Sequence, residues 1–261
     1  MLILVCLAVI VRLVAAQFVP ADLPIDNPTY QKAADDFLRN GIISNNYIMP
    51  LYPLLLAFFG GGIVAEVTIG VVAGGISVVL VWALSRHIFE DKYAGLMSAL
   101  VFSLYPMALF YGVRGLTESV FLMFLLGAFL ALYKNKIILT SILFVLTILS
   151  RPVTDLFAPI AIAWYSLVVR KDGVTPTLKK LSIYGLVYAV MMSPWWVHNY
   201  TKHNEIVRLN LGYGVVLYSG NNPMNVTGGG IGGLDYDTEI LNSYSDPIEK
   251  DVALRSKAEK Y

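Results

Sequence analysis

Residues 61–85 read GGIVAEVTIGVVAGGISVVLVWALS, with Glu66 as the one ionisable side chain. Just downstream, residues 93–113 read YAGLMSALVFSLYPMALFYGV and contain no charge at all. As a helix rising about 1.5 Å per residue, each run can cross a hydrocarbon core of about 30 Å, so each reads as a transmembrane helix. Further apolar runs lie at about 1–19, 119–133, 137–150, 154–169 and 181–197, divided by short charged or proline-containing turns. The expected fold is therefore an all-α membrane protein, a polytopic bundle of about seven transmembrane helices.

Composition agrees with that reading. Hydrophobic residues make up 57% of the 261 and charged residues 14%, against roughly 25% charged in a soluble domain. With Lys+Arg 19 and Asp+Glu 18, the net charge of +1 offers no basic field to grip nucleic acid. The single cysteine, Cys6, excludes an internal disulfide and a cysteine-based metal site. The first run has no charged region ahead of it and carries Arg12 in its middle, which favours a retained helix over a cleaved signal peptide. Gly70, Gly74 and Gly75 form a GxxxG surface for close helix packing, a structural feature.

Orientation follows from lysine and arginine. Arg86 and Lys92, then Lys134 and Lys136, then Arg170, Lys171, Lys179 and Lys180 follow the second, fourth and sixth spans, which marks those loops and the N-terminus as cytoplasmic. The long first loop from Pro20 to Gly60, the turns around Gly115 and Pro152, and everything after His198 then face outward.

Three spans are short for their task. Fifteen residues separate Glu118 from Lys134, fourteen separate Lys136 from Arg151, and fourteen separate Asp155 from Arg170. These reach roughly 21 to 23 Å, less than the core. Cytoplasmic lysines can snorkel to their own interface, so Glu118, Arg151 and Asp155 are expected to be immersed at the outer ends, around a polar cavity open to the outside. The plainer alternative is local bilayer thinning, with Glu118 paired to Arg114 and Arg151 to Asp155 one turn away.

In the first outer loop, Asp26-Asn27-Pro28-Thr29-Tyr30 starts a short amphipathic helix through Ala33, Ala34, Phe37 and Leu38 to Gly41, with Lys32, Asp35, Asp36 and Arg39 toward water. Asp26 then sits at the outer membrane edge, either as a helix cap or as a reactive carboxylate. The chain re-enters through Met49-Pro50-Leu51-Tyr52-Pro53 before apolar Leu54 to Phe59. Pro194-Trp195-Trp196 and His198-Asn199-Tyr200 close the seventh span, the indoles fitting an aromatic belt.

The succession of Asp26 and Tyr30, the alanine-rich helix, Pro50 to Pro53, Leu116-Thr117-Glu118-Ser119, Ser150-Arg151-Pro152, Pro194-Trp195-Trp196 and Asn199-Tyr200 resembles the polytopic GT-C glycosyltransferases. It is most similar to the branch of dolichyl-phosphate-mannose protein mannosyltransferases and the aminoarabinose transferase of lipid A. The resemblance runs over residues 1 to about 225. It implies transfer of a sugar from a polyprenyl-phosphate donor to a protein, lipid or glycan acceptor on the extracytoplasmic face, with inversion. A prokaryotic plasma membrane fits better than the endoplasmic reticulum.

By that resemblance Asp26 is the general base, and Glu118 is the second catalytic residue, binding sugar or acceptor or positioning Asp26. Arg151 and Arg114 hold the donor phosphate, while Tyr30 and Asn199 complete the substrate site. A partly desolvated carboxylate can accept a proton near neutral pH, and a held phosphate is a good leaving group. The resemblance also implies a seven-helix module over residues 1–200 and the start of an extracytoplasmic loop or domain over 201–261. Relatives continue through more helices, so the chain reads as an N-terminal piece.

No cofactor is indicated. His87, His198 and His203 lack ligand spacing, although Asp26 and Glu118 could share a divalent ion. GGGIGG at 228–233 satisfies a dinucleotide fingerprint only formally, with no βαβ unit around it, and reads as a flexible loop. Asn225-Val226-Thr227 matches a glycosylation acceptor that also arises by chance. Two other functions fit an outward polar cavity: a transporter or flippase for an amphiphilic lipid-linked substrate, against which stands the absence of paired repeats, and a structural subunit that tolerates paired charges.

Overall fold

The computed structural model describes residues 1–20, 26–228 and 232–261, and it is helical throughout: 74% helix, with no strand among the described residues. The chain divides into two compact units, Met1–Ser44 with Met49–Val197, and Asn45–Ile48 with His198–Tyr261.

In the first unit α1 (Leu2–Phe18) leads to α2 (Asn27–Asn40), which carries Pro28 in its first turn, where a missing N–H costs nothing. Gly41 ends α2 in the left-handed region at φ 68°, its N–H bonded to the Phe37 carbonyl. A short helix α3 (Leu51–Phe58) follows, and Gly60, Gly61 and Gly62, all at positive φ, turn the chain into α4 (Gly62–Ile88).

Helix α4 is the hub, touching α1, α3, α5 (Lys92–Leu104), α6 (Pro106–Val113) and α7 (Glu118–Tyr133). Glycines permit the closeness. A Cβ at Gly70 would lie 1.7 Å from the Gly112 carbonyl oxygen, and one at Gly74 would lie 2.1 Å from Arg12 Nε. The GxxxG surface thus takes α6 and the side chain of α1's buried arginine, as close packing requires. Helix α7 packs along α8 (Ile137–Ser150), and a 3₁₀ turn, Pro152–Thr154, leads into α9 (Phe157–Trp164) and a π-turn over Tyr165–Val169. Helix α10 (Val174–His203) contributes its residues as far as Val197 to this unit.

Among the described residues, α4 is the one helix long and apolar enough to cross a bilayer as a straight span. The run 93–113, expected to be a single span, is broken between α5 and α6 by a 55° bend. Pro106 is the cause: it pushes the preceding residue out of helical geometry, and Tyr105 takes an extended ψ of 117°. The other apolar helices, α1, α7, α8 and Phe157–Val169, have 10 to 17 residues.

A core cluster positions the site. Ala34 of α2, Tyr52 and Leu56 of α3, Ala65 and Ile69 of α4, and Val120 of α7 are buried together, with Tyr30 and Phe37 packed against them. The amphipathic face expected of α2 therefore seats it on three other helices, while Lys32, Asp35 and Arg39 are exposed.

The second unit holds α11 (Tyr213–Gly220), α12 (Thr238–Asn242) and α13 (Pro247–Ala258). Asp246 caps α13 through the N–H groups of Ile248 and Glu249. Gly214 lets α11 lie against the Asp251 backbone, where a Cβ would come within 2.1 Å of its carbonyl oxygen. Of the expected loop at 228–233, residues 229–231 lie outside the described residues. Both amide hydrogens of Asn225 are given to the Ser219 and Gly220 carbonyls, so the glycosylation pattern is held in internal bonds.

Candidate functional site

Four polar side chains from three helices meet beside that core cluster. Arg151, just past the end of α8, donates to Glu118 Oε1 at the start of α7 and, at 3.3 Å, to the Thr117 hydroxyl. Tyr30, from the first turn of α2, has its phenol beside Thr117 and within the influence of the pair. Burial is the main cause that pushes the Tyr30 hydroxyl above its ordinary pKa; Thr117 lowers it, Asp26 raises it, Arg151 lowers it and Glu118 raises it. Tyr30 thus keeps its proton and lies within the electrostatic reach of Asp26, Arg151 and Glu118.

Glu118 and Arg151 remain partly open, with 30% and 42% of their side chains accessible. Glu118 Oε2 is enclosed and has no hydrogen-bond partner among the described residues. A carboxylate oxygen in that state costs free energy unless something donates to it. What the group offers a ligand directly is the accessible part of the Arg151 guanidinium and of the Glu118 carboxylate, with the enclosed Thr117 beneath them.

Asp26 occupies the cap position of α2, yet its side chain makes no capping bond, which removes the plainest structural reason for an aspartate there. It is solvent-exposed, so the expected partial desolvation is not observed. Arg114 is enclosed, 2% exposed, in the turn before α7.

Other expectations are corrected. Arg151 does not pair with Asp155 one turn away; it reaches 33 residues back to Glu118, while Asp155 is buried and accepts from the Tyr188 hydroxyl at 2.7 Å. Asn199 belongs to the second unit, where its amide is used at both ends: Asn46 donates to its oxygen at 2.6 Å and it donates to the Val207 carbonyl at 3.1 Å. With no exposure, that side chain is committed to internal bonds rather than to a ligand. Trp195, expected in an interfacial belt, is 4% exposed.

Sequence reasoning passed over Gln31 and treated Glu66 only as an interruption. The Gln31 amide donates to Glu66 Oε1 at 2.6 Å and to the Gly62 carbonyl, and its oxygen accepts from the Gly62 N–H, which ties α2 to the start of α4. Gly115, at φ +63°, rides on the same carboxylate, since a Cβ there would lie 2.3 Å from the Glu66 carboxyl carbon. Buried Glu66 therefore positions both the helix carrying Tyr30 and the turn leading to Thr117 and Glu118. A lone acid in an otherwise uncharged span was the signal.

Among the described residues no group of three or more His, Cys, Asp or Glu side chains is placed to hold a metal ion. Comparison with known proteins finds no matching family model, no similar curated protein and no similar solved structure.

Proposed function

We propose that the chain is a polytopic membrane glycosyltransferase of about seven spans that moves a sugar from a polyprenyl-phosphate donor to an acceptor on the extracytoplasmic face. The observation that carries this reading is the grouping of Tyr30, Thr117, Glu118 and Arg151, contributed by α2, α7 and α8, with Asp26 on the same helix as Tyr30. The bilayer part is supported by large apolar side chains left facing outward on successive helices: Leu2, Phe58, Val64, Val101, Ile160, Leu186 and Val190 are each more than 60% exposed. Surfaces of that kind call for lipid.

In this mechanism Asp26 removes the proton from the acceptor hydroxyl, whose oxygen attacks the anomeric carbon. The bond from that carbon to the phosphate oxygen breaks on the opposite face, giving inversion. Arg151 holds the departing phosphate through charge-assisted hydrogen bonds, with Arg114 supporting the positive field. Tyr30 presents its hydroxyl to the sugar, Thr117 supports Arg151 from beneath, and the accessible part of the Glu118 carboxylate accepts from one of the sugar's hydroxyl groups. Nucleotide sugars are cytoplasmic, so outward-facing chemistry needs a donor borne by the membrane.

The test is reconstitution of the protein into vesicles with a radiolabelled polyprenyl-phosphate sugar, with and without membrane extract as acceptor source. The proposal expects label to leave the lipid only when acceptor is present, in a linkage of inverted configuration. Movement of the intact lipid-linked sugar across the vesicle, with no transfer to acceptor, would instead identify a flippase.

A further inference from the structure

Twenty residues beyond Glu66 on α4, about 30 Å along the helix, the same unit carries a second polar feature. A cleft of about 550 Å³ opens between the ends of α4 and α7, lined by Trp82, Arg86, His87, Glu90, Tyr133 and Lys134, so that two basic side chains outnumber one acid. Two of its side chains are pre-arranged on aromatic rings. The Arg86 guanidinium lies 5.4 Å from the centre of the Trp82 ring, and His87 stacks on Tyr133 at 5.6 Å with the planes 25° apart.

The frame is fixed on both sides. Trp82 packs against the cluster of Ala8, Val78 and Ala99, and its carbonyl oxygen would stand only 3.0 Å from a Cβ at Gly95 of α5. Tyr133 donates to the His87 carbonyl and accepts on its own carbonyl from the Tyr165 hydroxyl, both at 3.3 Å. Among the described residues neither Arg86 nor Lys134 enters an ion pair. Basic groups at two helix C-termini already offset the local dipoles. That role needs neither a cleft nor a stacked aromatic floor.

The surroundings are apolar: Ile88, Phe89 and Tyr93, next to the cleft in sequence, are 61%, 66% and 63% exposed. A cationic, aromatic-floored cleft set among exposed apolar side chains, at the end of the helix long enough to cross a bilayer, lies where lipid phosphates do. We propose that this cleft binds the phosphate-bearing headgroup of an anionic membrane phospholipid, held between Arg86 and Lys134. The inference uses the bilayer reading of α4 and is independent of sugar transfer.

Native mass spectrometry of the detergent-solubilised protein, titrated with phosphatidylglycerol or phosphatidylcholine, tests it. Retention of phosphatidylglycerol should exceed that of phosphatidylcholine by on the order of tenfold, since two basic side chains engage the anion. Arg86→Gln with Lys134→Gln should remove the preference, while Lys171→Gln with Lys179→Gln, which takes the same charge from the residues just before α10 and its first turns, should leave it intact. Lys134→Glu alone, at an exposed helix end, should weaken it several-fold without touching the core. Equal retention of the two lipids, an unchanged preference in the Arg86 and Lys134 variants, or its equal loss in the control would overturn the proposal. So would displacement of the lipid by millimolar inorganic phosphate, which would mark a soluble anion as the ligand.

Discussion

Replacing Asp26 with asparagine is expected to lower sugar transfer by about 10²- to 10⁴-fold, the range contributed by a positioned general base. The substitution suits the purpose because nothing structural depends on the charge. Asp26 is exposed, makes no side-chain capping bond, and lends α2 only its backbone carbonyl, which accepts from the N–H groups of Thr29 and Tyr30. Asparagine is also as good a cap residue as aspartate, so helix content and melting temperature should be unchanged. Asp35→Asn, on the exposed face of the same helix, supplies the control and should transfer normally. Wild-type turnover by the Asp26 variant, measured as label reaching acceptor, would remove the carboxylate from the chemistry.

The second large effect is expected at the Glu118 and Arg151 pair. Both side chains are partly open to solvent, so their mutual attraction contributes at most about 1 kcal/mol to stability. Their contribution to transfer is expected to be much larger, because a charge-assisted hydrogen bond to a phosphate or sugar is worth about 1.5 to 3 kcal/mol, a factor of roughly 10 to 100. Arg151→Gln should raise KM for the donor, since the arginine holds the phosphate before and during bond breaking. Glu118→Gln should lower kcat, since the sugar is no longer oriented by the carboxylate. The double variant should lose less than the product of the two single losses, as neighbours in one network do. If the pair were only a tether between α7 and α8, melting temperature would fall in step with activity and the donor KM would stay constant.

Much of the helical layout was legible because apolar run length and charge placement are local signals. The cap at Asp246, the start of α2 at Pro28 and the stop at Gly41 are each written within a few residues. Pro106 also stood in plain view, but reading 93–113 as one span gave its length precedence over the steric effect on Tyr105. The site was legible as a set of polar residues and illegible as a set of pairs. Local helical spacing could offer only Asp155 as a partner for Arg151, in the plainer alternative, whereas packing of α7 against α8 supplies Glu118. Asn199 has the chemistry of a ligand residue, yet its partners Asn46 and Val207 are fixed by tertiary packing, which no neighbouring sequence announces. Glu66 and Gln31 were hidden for the same reason: a buried carboxylate in a span implies a partner, and only the fold says which.

The central claim is that Asp26, Glu118 and Arg151 open into one compartment on the non-cytoplasmic side. Cysteine placed at each position, in a protein whose single native thiol has been removed by Cys6→Ser, can be challenged in intact cells with a membrane-impermeant maleimide. All three thiols are expected to react from outside and to be shielded together by an added polyprenyl phosphate. Labelling of any one of them only after the inner face is exposed, or shielding of one without the others, would contradict the account.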